Sequence, residues 1–428
     1  MILRTRLSSA TLFAALGSVV SLGAQGLFAV FLLKLFDASA VGQFSVVSQI
    51  AFGWATLALA QSPLSLLADR HIAAQTAAAT AWGQSAVRML WMSPWALLAL
   101  WWSQSHATAG ATNWSALAPW ACGIAGLQMS WLLAQSLTLR VGSTWQQAAV
   151  RVLPPAAAAT TALTAALIGA SVGWSGPTLI LSALLGYAVG AAWLVPALRM
   201  RDVPQDHTSS ASIASTLDPA QATHAQQSDP RSATLRMAHT LVDALLATAI
   251  IVVWQRLYGA EETGWMSALL RVLGFLPAVV HMAWAQVALA RGTRGSPAQT
   301  WANPWWLGLG AFACVIVLGL SCALALYQEC LDLRWHGVLP YIAPLVLWQG
   351  AACLSAAFSH RPFQTQSAST YSWACMALGV LQTLVLLAPL GLAQPIQAAQ
   401  HMAAFAFFSG GGLLAMTLWM ARLKSRNI

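Results

Sequence analysis

Charged residues are scarce in this chain. Only 7% of its 428 residues are Asp, Glu, Lys or Arg, whereas a soluble domain contains about 25%. Hydrophobic residues make up 58% of the chain. A water-soluble fold cannot hide that much apolar surface, so the composition excludes a soluble globular protein and predicts that lipid is the solvent.

Sequence motifs of enzymes are also missing. The chain has neither a G-x-x-x-x-G-K-[ST] phosphate loop nor an HExxH zinc motif. Its six cysteines lie in or beside apolar runs and lack the spacing of metal ligands. No segment between the apolar runs is long enough for a folded catalytic domain. We therefore expect a protein that is not an enzyme and that binds no cofactor and no metal.

Long apolar runs follow one another along the whole chain. A run of about 20 residues is long enough to cross a bilayer as a helix, and this rule predicts about twelve spans. Their ranges are 11–33, 43–66, 86–104, 114–136, 148–170, 178–198, 237–255, 264–290, 306–327, 338–358, 370–393 and 398–420. The predicted fold class is an all-α integral membrane protein with about 12 transmembrane helices.

One stretch of the chain occurs twice. Residues 34–50 read KLFDASAVGQFSVVSQI, and residues 256–272, which lie 222 positions later, read RLYGAEETGWMSALLRV. Matching residues are Lys34 and Arg256, Leu35 and Leu257, Phe36 and Tyr258, Ala38 and Ala260, Gly42 and Gly264, and Ser45 and Ser267. The same offset places each of the first six spans on one of the second six. The repeat predicts two six-helix bundles related by a parallel pseudo-two-fold axis along the membrane normal, because six spans return the chain to its starting side.

A polar segment separates the two predicted bundles. Residues 201–235 are rich in Ser, Thr, Ala, Gln, Asp and Pro and cannot bury a core, which is typical of a flexible linker. The predicted domains are an N-terminal six-helix bundle over 1–200, a cytoplasmic linker over 201–235 and a C-terminal six-helix bundle over 236–428.

The basic residues are unevenly distributed across the predicted membrane. The chain has a formal net charge of +9, and on one side of the membrane its only basic residues are Lys34, Arg256 and Arg334. Most of the others lie on the opposite side, which the positive-inside rule identifies as the cytoplasm, together with both termini. The basic excess therefore reflects topology and contact with anionic membrane lipid, and it requires no nucleic acid.

Few ionisable side chains lie within the predicted spans, where they are costly and often functional. Asp243 is the only acid, His281 lies at a similar depth, and His239 precedes Asp243 by one turn on the same helix face. Because histidine titrates near neutral pH and a carboxylate can hold its proton, we hypothesise that Asp243 forms an ion-coupling site with His281 or His239. The alternative is that these groups only make polar packing contacts.

Substrate-binding residues are predicted on similar grounds. Arg271 is the only base well inside a span, and its guanidinium fork matches phosphate oxygens. Gln25 and Gln49 could bind sugar hydroxyls. A snorkelling arginine and amides that tie helices together are the alternatives. The repeat pairs Asp243 with Ser21 and Arg271 with Gln49, so we expect the charged chemistry in the second half.

Two segments resemble a known family. Residues 32–74 (LLKLFDASAVGQFSVVSQIAFGWATLALAQSPLSLLADRHIAA) resemble the amino-terminal region of bacterial polysaccharide (O-antigen type) flippases. These belong to the multidrug/oligosaccharidyl-lipid/polysaccharide exporter superfamily. Residues 256–291 fit the corresponding stretch of the second half, with Gly259, paired acids at 261 and 262, and Gly264 in the expected places. The first copy departs from the pattern, since Asp37 is followed by Ala-Ser-Ala instead of Gly and paired acids.

The resemblance implies a V-shaped pair of bundles around a central cavity. It also implies that the protein moves undecaprenyl-diphosphate-linked polysaccharide repeat units from the cytoplasmic to the periplasmic leaflet of the bacterial inner membrane by alternating access. A polysaccharide polymerase and glycosyltransferases would be its partners.

Other functions fit the same pattern of spans. A cation-coupled drug antiporter of the same superfamily would share the fold and use Asp243 to bind a cationic drug. A major facilitator-type transporter would also have six plus six spans. A membrane polysaccharide polymerase or ligase would have about twelve spans, but it would carry a larger external loop with catalytic basic residues.

Overall fold

The fold is given by a computed structural model, and the regular structure that it describes is helical. The described residues are 23, 28, 29, 31–60, 62–68, 72–104, 114–169, 175–196, 230–281, 284, 303–365, 367–392 and 395–423. The first predicted span, 11–33, lies mostly outside them, as do the two chain ends and most of the predicted linker.

Six helices of the first half are described. They are α1 (Ala38–Leu59), α2 (Ser62–Ala68), α3 (Ala74–Gln104), α4 (Trp114–Val141), α5 (Thr144–Gly169) and α6 (Ser175–Ala192). Seven helices of the second half follow, and two 3-10 segments (Leu333–Val338 and Ala388–Gly391) join some of them. These helices are α7 (Pro230–Leu273), α8 (Phe275–Val280), α9 (Pro304–Tyr327), α10 (Leu339–Phe358), α11 (Arg361–Gln364), α12 (Ala368–Leu387) and α13 (Ala398–Arg422).

The helix boundaries repeat with the offset found in the sequence. Adding 222 to the first residues of α4, α5 and α6 gives positions 336, 366 and 397. The corresponding helical segments of the second half begin at Leu333, Ala368 and Ala398. The duplication therefore extends from the short sequence match to the placement of whole helices.

Seven helical segments within the described ranges are long and apolar enough to cross a membrane. They are Trp114–Val141, Trp145–Ile168, Met237–Val280, Pro304–Tyr327, Leu333–Gln364, Ala368–Gly391 and Ala398–Arg422. A shorter apolar helix covers Gly176–Ala192. These segments coincide with predicted spans, and α1 and α3 occupy the positions of the spans predicted over 43–66 and 86–104. The chain is therefore an all-helical, multi-pass membrane protein.

The turn between the seventh and eighth predicted spans differs from expectation. We expected separate helices over 237–255 and 264–290, joined by a loop. The structure has two helical parts in α7, separated at Gly259, where φ is 86° and ψ is −176° and the backbone is not helical. Only glycine adopts this backbone conformation readily, so a single residue makes the turn in place of the expected loop. The helix also begins at Pro230, inside the segment expected to be linker.

The two halves meet where α1 packs against the part of α7 that follows Gly259. Gly42 lies against the carbonyl of Ala260, and Gly264 lies against the carbonyl of Ala38. These two contacts exchange under the 222-residue offset, as the contacts of a two-fold interface do. The absence of a side chain at both glycines is what allows the backbones to approach this closely, and one continuous hydrophobic core joins the two halves.

Several basic side chains bind backbone carbonyls at helix ends. Arg88 donates to the carbonyls of Ala58 and Leu59 at the end of α1, at 3.4 and 3.3 Å. Arg361 donates to the carbonyl of Ala421 in the last turn of α13, at 2.7 Å. A helix end has unpaired carbonyls and a partial negative charge, which these guanidinium groups satisfy. Both residues lie on the side predicted to be cytoplasmic.

Candidate functional site

A cavity of about 500 Å³ lies between the two halves. Its lining residues on α1 follow Gly42 along the helix, so it lies beyond the paired glycines, on the side away from Asp37 and Gly259. It is lined by Phe44, Ser45, Ser48, Gln49, Phe52, Gln128, Tyr187, Asp243, Leu246, Ala247, Ile250, Ile251, Ser267, Leu270, Arg271 and Trp348. Its volume is within the range of about 300–1,000 Å³ that is typical of small-molecule sites.

Arg271 lies in the wall of this cavity, in the second half of the chain, and faces the first half. Its guanidinium group donates weakly to the hydroxyls of Ser45 and Ser48, at 3.5 and 3.4 Å. It also lies over the Phe44 ring, 4.8 Å from the centroid. A guanidinium carries five N–H donors, and these hydrogen bonds use one of its nitrogens. Because the described ion pairs do not include Arg271, its positive charge is uncompensated by any described carboxylate.

Asp243 lines the same cavity and forms an ion pair with His239. The Asp243 Oδ2 lies 3.1 Å from the His239 Nε2, one helical turn away in α7. The Asp243 side chain is 61% exposed and that of His239 is 21% exposed. The ring of Tyr371 in α12 packs edge-on against the imidazole, with 5.9 Å between centroids, and Cys375 of the same helix also contacts His239. The carboxylate therefore faces the cavity while the histidine faces the packing between α7 and α12.

The walls of the cavity differ in chemistry. Most polar side chains of the lining come from the first half, namely Ser45, Ser48, Gln49, Gln128 and Tyr187, which lie beside the rings of Phe44 and Phe52. Apart from Ser267, the uncharged side chains of the second half are apolar, namely Leu246, Ala247, Ile250, Ile251, Leu270 and Trp348. The charged groups Asp243 and Arg271 interrupt this second wall. A ligand with an anionic group and neutral hydroxyls would find complementary groups on opposite sides.

Of the six predicted site residues, four lie together at the cavity, one lies elsewhere and one is outside the described residues. Arg271, Gln49 and Asp243 line the cavity, and His239 binds Asp243. His281 lies elsewhere, with its Nδ1 3.4 Å from the Ser359 hydroxyl, so the described partner of Asp243 is His239. Gln25 lies outside the described residues. Within the described part of the chain, no cluster of His, Cys, Asp and Glu could hold a metal ion.

A second polar cluster closes the end of the molecule that contains Asp37 and Gly259. Arg334 of the second half forms an ion pair with Asp37, the residue before α1, and another with Asp332 at 2.9 Å. Its carbonyl accepts a hydrogen bond from the Trp265 indole at 3.1 Å. Nearby, the Tyr341 hydroxyl donates to Glu262. The Asp37–Arg334 pair is thus a charged contact between the two halves at the closed end.

Some cavity residues carried no specific prediction from sequence. Tyr187 is one of only five tyrosines in the chain, and a polar aromatic within an apolar run could have drawn attention to it. Gln128 was visible as an amide within a span, but its neighbours in space were not. Ser45 and Ser267 were matched by the repeat, although their mutual contact was not evident.

Comparisons with known proteins give the fold. No protein-family profile and no curated protein matches the chain. Its structure is similar to one described as "Lipid II flippase MurJ, inward closed conformation", with a TM-score of 0.61 and 8% identity, over 96% of this chain and 87% of that chain. An inward-facing multidrug resistance MATE family transporter of the MOP superfamily matches with a TM-score of 0.45 and 13% identity, over 100% and 98% of the two chains. The eukaryotic MATE transporter AtDTX14 matches with a TM-score of 0.48 and 14% identity, over 96% and 94%.

The similarity to the flippase structure extends over nearly the whole chain. It indicates a two-bundle fold of about twelve spanning helices, which agrees with the predicted fold class. The matched structures are described as a flippase and as transporters. At 8% identity the similarity shows the fold alone, and the substrate has to be argued from the cavity.

Proposed function

We propose that this protein is a flippase for lipid-linked oligosaccharides. It moves undecaprenyl-diphosphate-linked polysaccharide repeat units from the cytoplasmic to the periplasmic leaflet of a bacterial inner membrane. The observation that carries the proposal is the position of Arg271, whose charge lies without a described carboxylate partner in a cavity between two repeated bundles.

An arginine in the wall of this cavity favours an anionic ligand. Placing a guanidinium inside a membrane protein is costly unless the site uses it, and the two serine hydroxyls at 3.4–3.5 Å are weak partners. Phosphate oxygens match the guanidinium fork with short, charge-assisted hydrogen bonds. A diphosphate would therefore displace the serines and bind Arg271 in their place.

The remaining walls suit the other parts of the substrate. The hydroxyl and amide groups of the first half can bind a saccharide, and the apolar wall of the second half can border the start of a lipid chain. The headgroup would then cross the membrane inside the cavity while the lipid tail stays in the hydrocarbon.

The pseudo-symmetry supports alternating access. The halves touch through the paired glycines Gly42 and Gly264 at one end, and the cavity lies at the other side of this contact. Rocking of two similar bundles about such a contact would close one side as it opens the other. With both termini in the cytoplasm, bundles over 1–200 and 236–428 and a linker over 201–235, the cavity lies on the cytoplasmic side.

The energy for uphill movement would come from an ion gradient. We place the coupling site at Asp243 and His239, because a carboxylate and an imidazole in contact can together hold and release a proton. The groups that face this pair are Tyr371 and Cys375 of α12. His281 would be excluded from the coupling site by its position beside Ser359.

Drug export is the second candidate function. Asp243 is well exposed in the same cavity, and a carboxylate in an apolar wall can bind a lipophilic cation. Arg271 opposes this reading, because its charge would repel the same cation.

Reconstitution tests the proposal. Full-length protein is placed in liposomes with a fluorescent polyprenyl diphosphate that carries a disaccharide, and a membrane-impermeant quencher reports probe reaching the outer leaflet. We expect wild-type protein to move the probe and Arg271→Gln to do so at least about 10-fold more slowly, the loss of a charged hydrogen bond. Arg256→Gln is the matched control, since Arg256 lies before Gly259 in α7 and stacks on Trp102 at 5.5 Å, outside the cavity lining.

Two results would overturn the flippase proposal. One is wild-type protein that moves the probe no faster than empty liposomes under any proton or sodium gradient. The other is exchange of a lipophilic cation for protons or sodium in the same liposomes without movement of the probe, which would establish drug antiport instead.

A further inference from the structure

Gln128 is a buried amide with an unmet hydrogen-bonding requirement. It lies in α4, on the polar wall of the cavity, and is 5% exposed. Its Oε1 has no hydrogen-bond partner among the residues that the structure describes. Buried polar atoms of side chains are nearly always paired, and leaving one unpaired costs roughly 1–3 kcal/mol. An unpaired acceptor in the wall of a binding cavity therefore indicates a group that a ligand satisfies.

The surroundings of Gln128 define what kind of group this is. Gln49 and Tyr187, which line the same wall from α1 and α6, are also neutral and polar. The charged groups Arg271 and Asp243 belong to the second half. An anion has no proton to donate to the unpaired Oε1, and an apolar group would also leave it unpaired. Neutral donors remain, namely hydroxyls or amide N–H groups.

We propose that Gln128 is a specificity-determining residue that recognises the saccharide next to the diphosphate. Its amide binds a sugar hydroxyl or N-acetyl group of the ligand, while Arg271 holds the phosphate. This inference rests on the proposed flippase function and adds a division of labour: the first half recognises sugar, and the second half binds charge.

The unpaired amide oxygen of Gln128 explains how this residue can distinguish ligands with a saccharide from ligands without one. A site that is built to hydrogen-bond a ligand hydroxyl rejects ligands without it, because the buried group then stays unpaired. A lipid diphosphate without sugar would bind through Arg271 and leave Gln128 unsatisfied. Gln128 therefore recognises the saccharide and contacts neither the lipid nor the phosphate.

A near-isosteric substitution separates binding from folding. Gln128→Met keeps the length of the side chain and removes the amide. Replacing an unpaired buried polar group by an apolar group of similar shape is neutral or stabilising. We therefore expect the ligand-free variant to unfold at the same temperature as wild type or higher. A polar group with a structural role would give the opposite result.

The binding experiment uses full-length protein in detergent and three probes. These are farnesyl diphosphate and the same lipid carrying either one hexose or one N-acetylhexosamine. Wild-type protein should bind at least one sugar probe more tightly than farnesyl diphosphate. Gln128→Met should weaken that sugar probe roughly 3- to 10-fold, the loss of one neutral hydrogen bond, and leave farnesyl diphosphate unchanged. Arg271→Gln should weaken all three probes.

Gln382→Met is the matched control. Gln382 is a buried glutamine of α12 that does not line the cavity, so its substitution should change no probe selectively. The inference about Gln128 is overturned if Gln128→Met weakens all probes equally, weakens none, or lowers the unfolding temperature. If wild-type protein binds none of the probes, the proposed function itself fails. The two failures are therefore distinguishable.

Discussion

Ser45 and Ser267 are hydrogen-bonded to each other at 2.8 Å, although 222 residues separate them in the chain. They occupy the same position in the two copies of the repeat. A residue that contacts its own repeat mate lies close to the axis that relates the copies. The pseudo-two-fold axis therefore passes near these two hydroxyls, directly beside Arg271, which lies 3.5 Å from Ser45.

Adding a bulky side chain on this axis should separate the halves. In Gly264→Val, the new side chain would meet the Ala38 backbone, which cannot move aside as a side chain does. Overpacking of this kind costs about 1–3 kcal/mol, so the ratio of closed to open molecules should fall roughly 5- to 150-fold. Spin labels on the two halves near Asp37 and Arg334 would report a longer distance. Gly411→Val is the control, because nothing lies within 4 Å of a side chain there.

Removing the ion pair at the closed end should have a smaller effect. Asp37 and Arg334 are each partly exposed, and exposed pairs contribute about 0.2–1 kcal/mol. Asp37→Asn should therefore shift the same spin-label distance modestly, and raised salt should produce a similar shift in wild type. Arg334→Gln should shift the distance to a similar extent, because the Asp332 pair that it also removes lies within the second half. A double variant that equals the sum of the single ones would show that the pair does not couple the halves.

We expect that lysine at position 271 does not restore the full transport activity of Arg271. Arg271→Lys keeps the positive charge but loses the planar fork and the stacking over Phe44. We expect transport of the diphosphate probe to fall to a level between wild type and Arg271→Gln, with weaker binding of farnesyl diphosphate measured by titration. Full activity of the lysine variant would mean that charge alone suffices and that fork geometry has no role.

The ion-coupling hypothesis predicts different effects for substitutions of His239 and His281. His239→Asn should alter the dependence of transport on pH, because its ring binds Asp243 and the substitution removes the titratable group. His281→Asn should leave the profile unchanged, since that ring faces Ser359. Initial rates in the liposome assay under imposed proton and sodium gradients measure both. If Asp243→Asn keeps full transport at every pH and gradient, the pair does not couple transport to ions.

Much of the site was visible in the sequence because membrane interiors are chemically simple. Asp243, Arg271 and Gln49 stood out as polar groups in apolar runs, and the structure places all three around one cavity. The choice between His239 and His281 was not visible. Depth along a helix can be estimated from its rise per residue, but the direction in which each side chain points depends on how neighbouring helices pack.

The kink at Gly259 marks another limit of sequence reasoning. A glycine and two acids between apolar runs are typical of a loop, and the sequence indicated one. Whether the connection is a loop of several residues or a single glycine between two helices depends on the packing of the residues on both sides. Here Gly264 presses against Ala38, and Trp265 reaches the Arg334 carbonyl, so the residues after Gly259 are held in helix from the first turn.

By itself, the sequence determined the solvent, the helical class, the number of repeats and their offset, because these follow from composition and from spacing along the chain. Only the tertiary structure decided which residues share the cavity, which histidine binds Asp243 and which amide is left unpaired. Those relationships join helices that are distant in sequence, and they depend on close packing between side chains. The repeat predicted two similar halves, and packing showed that their own equivalent serines meet on the axis between them.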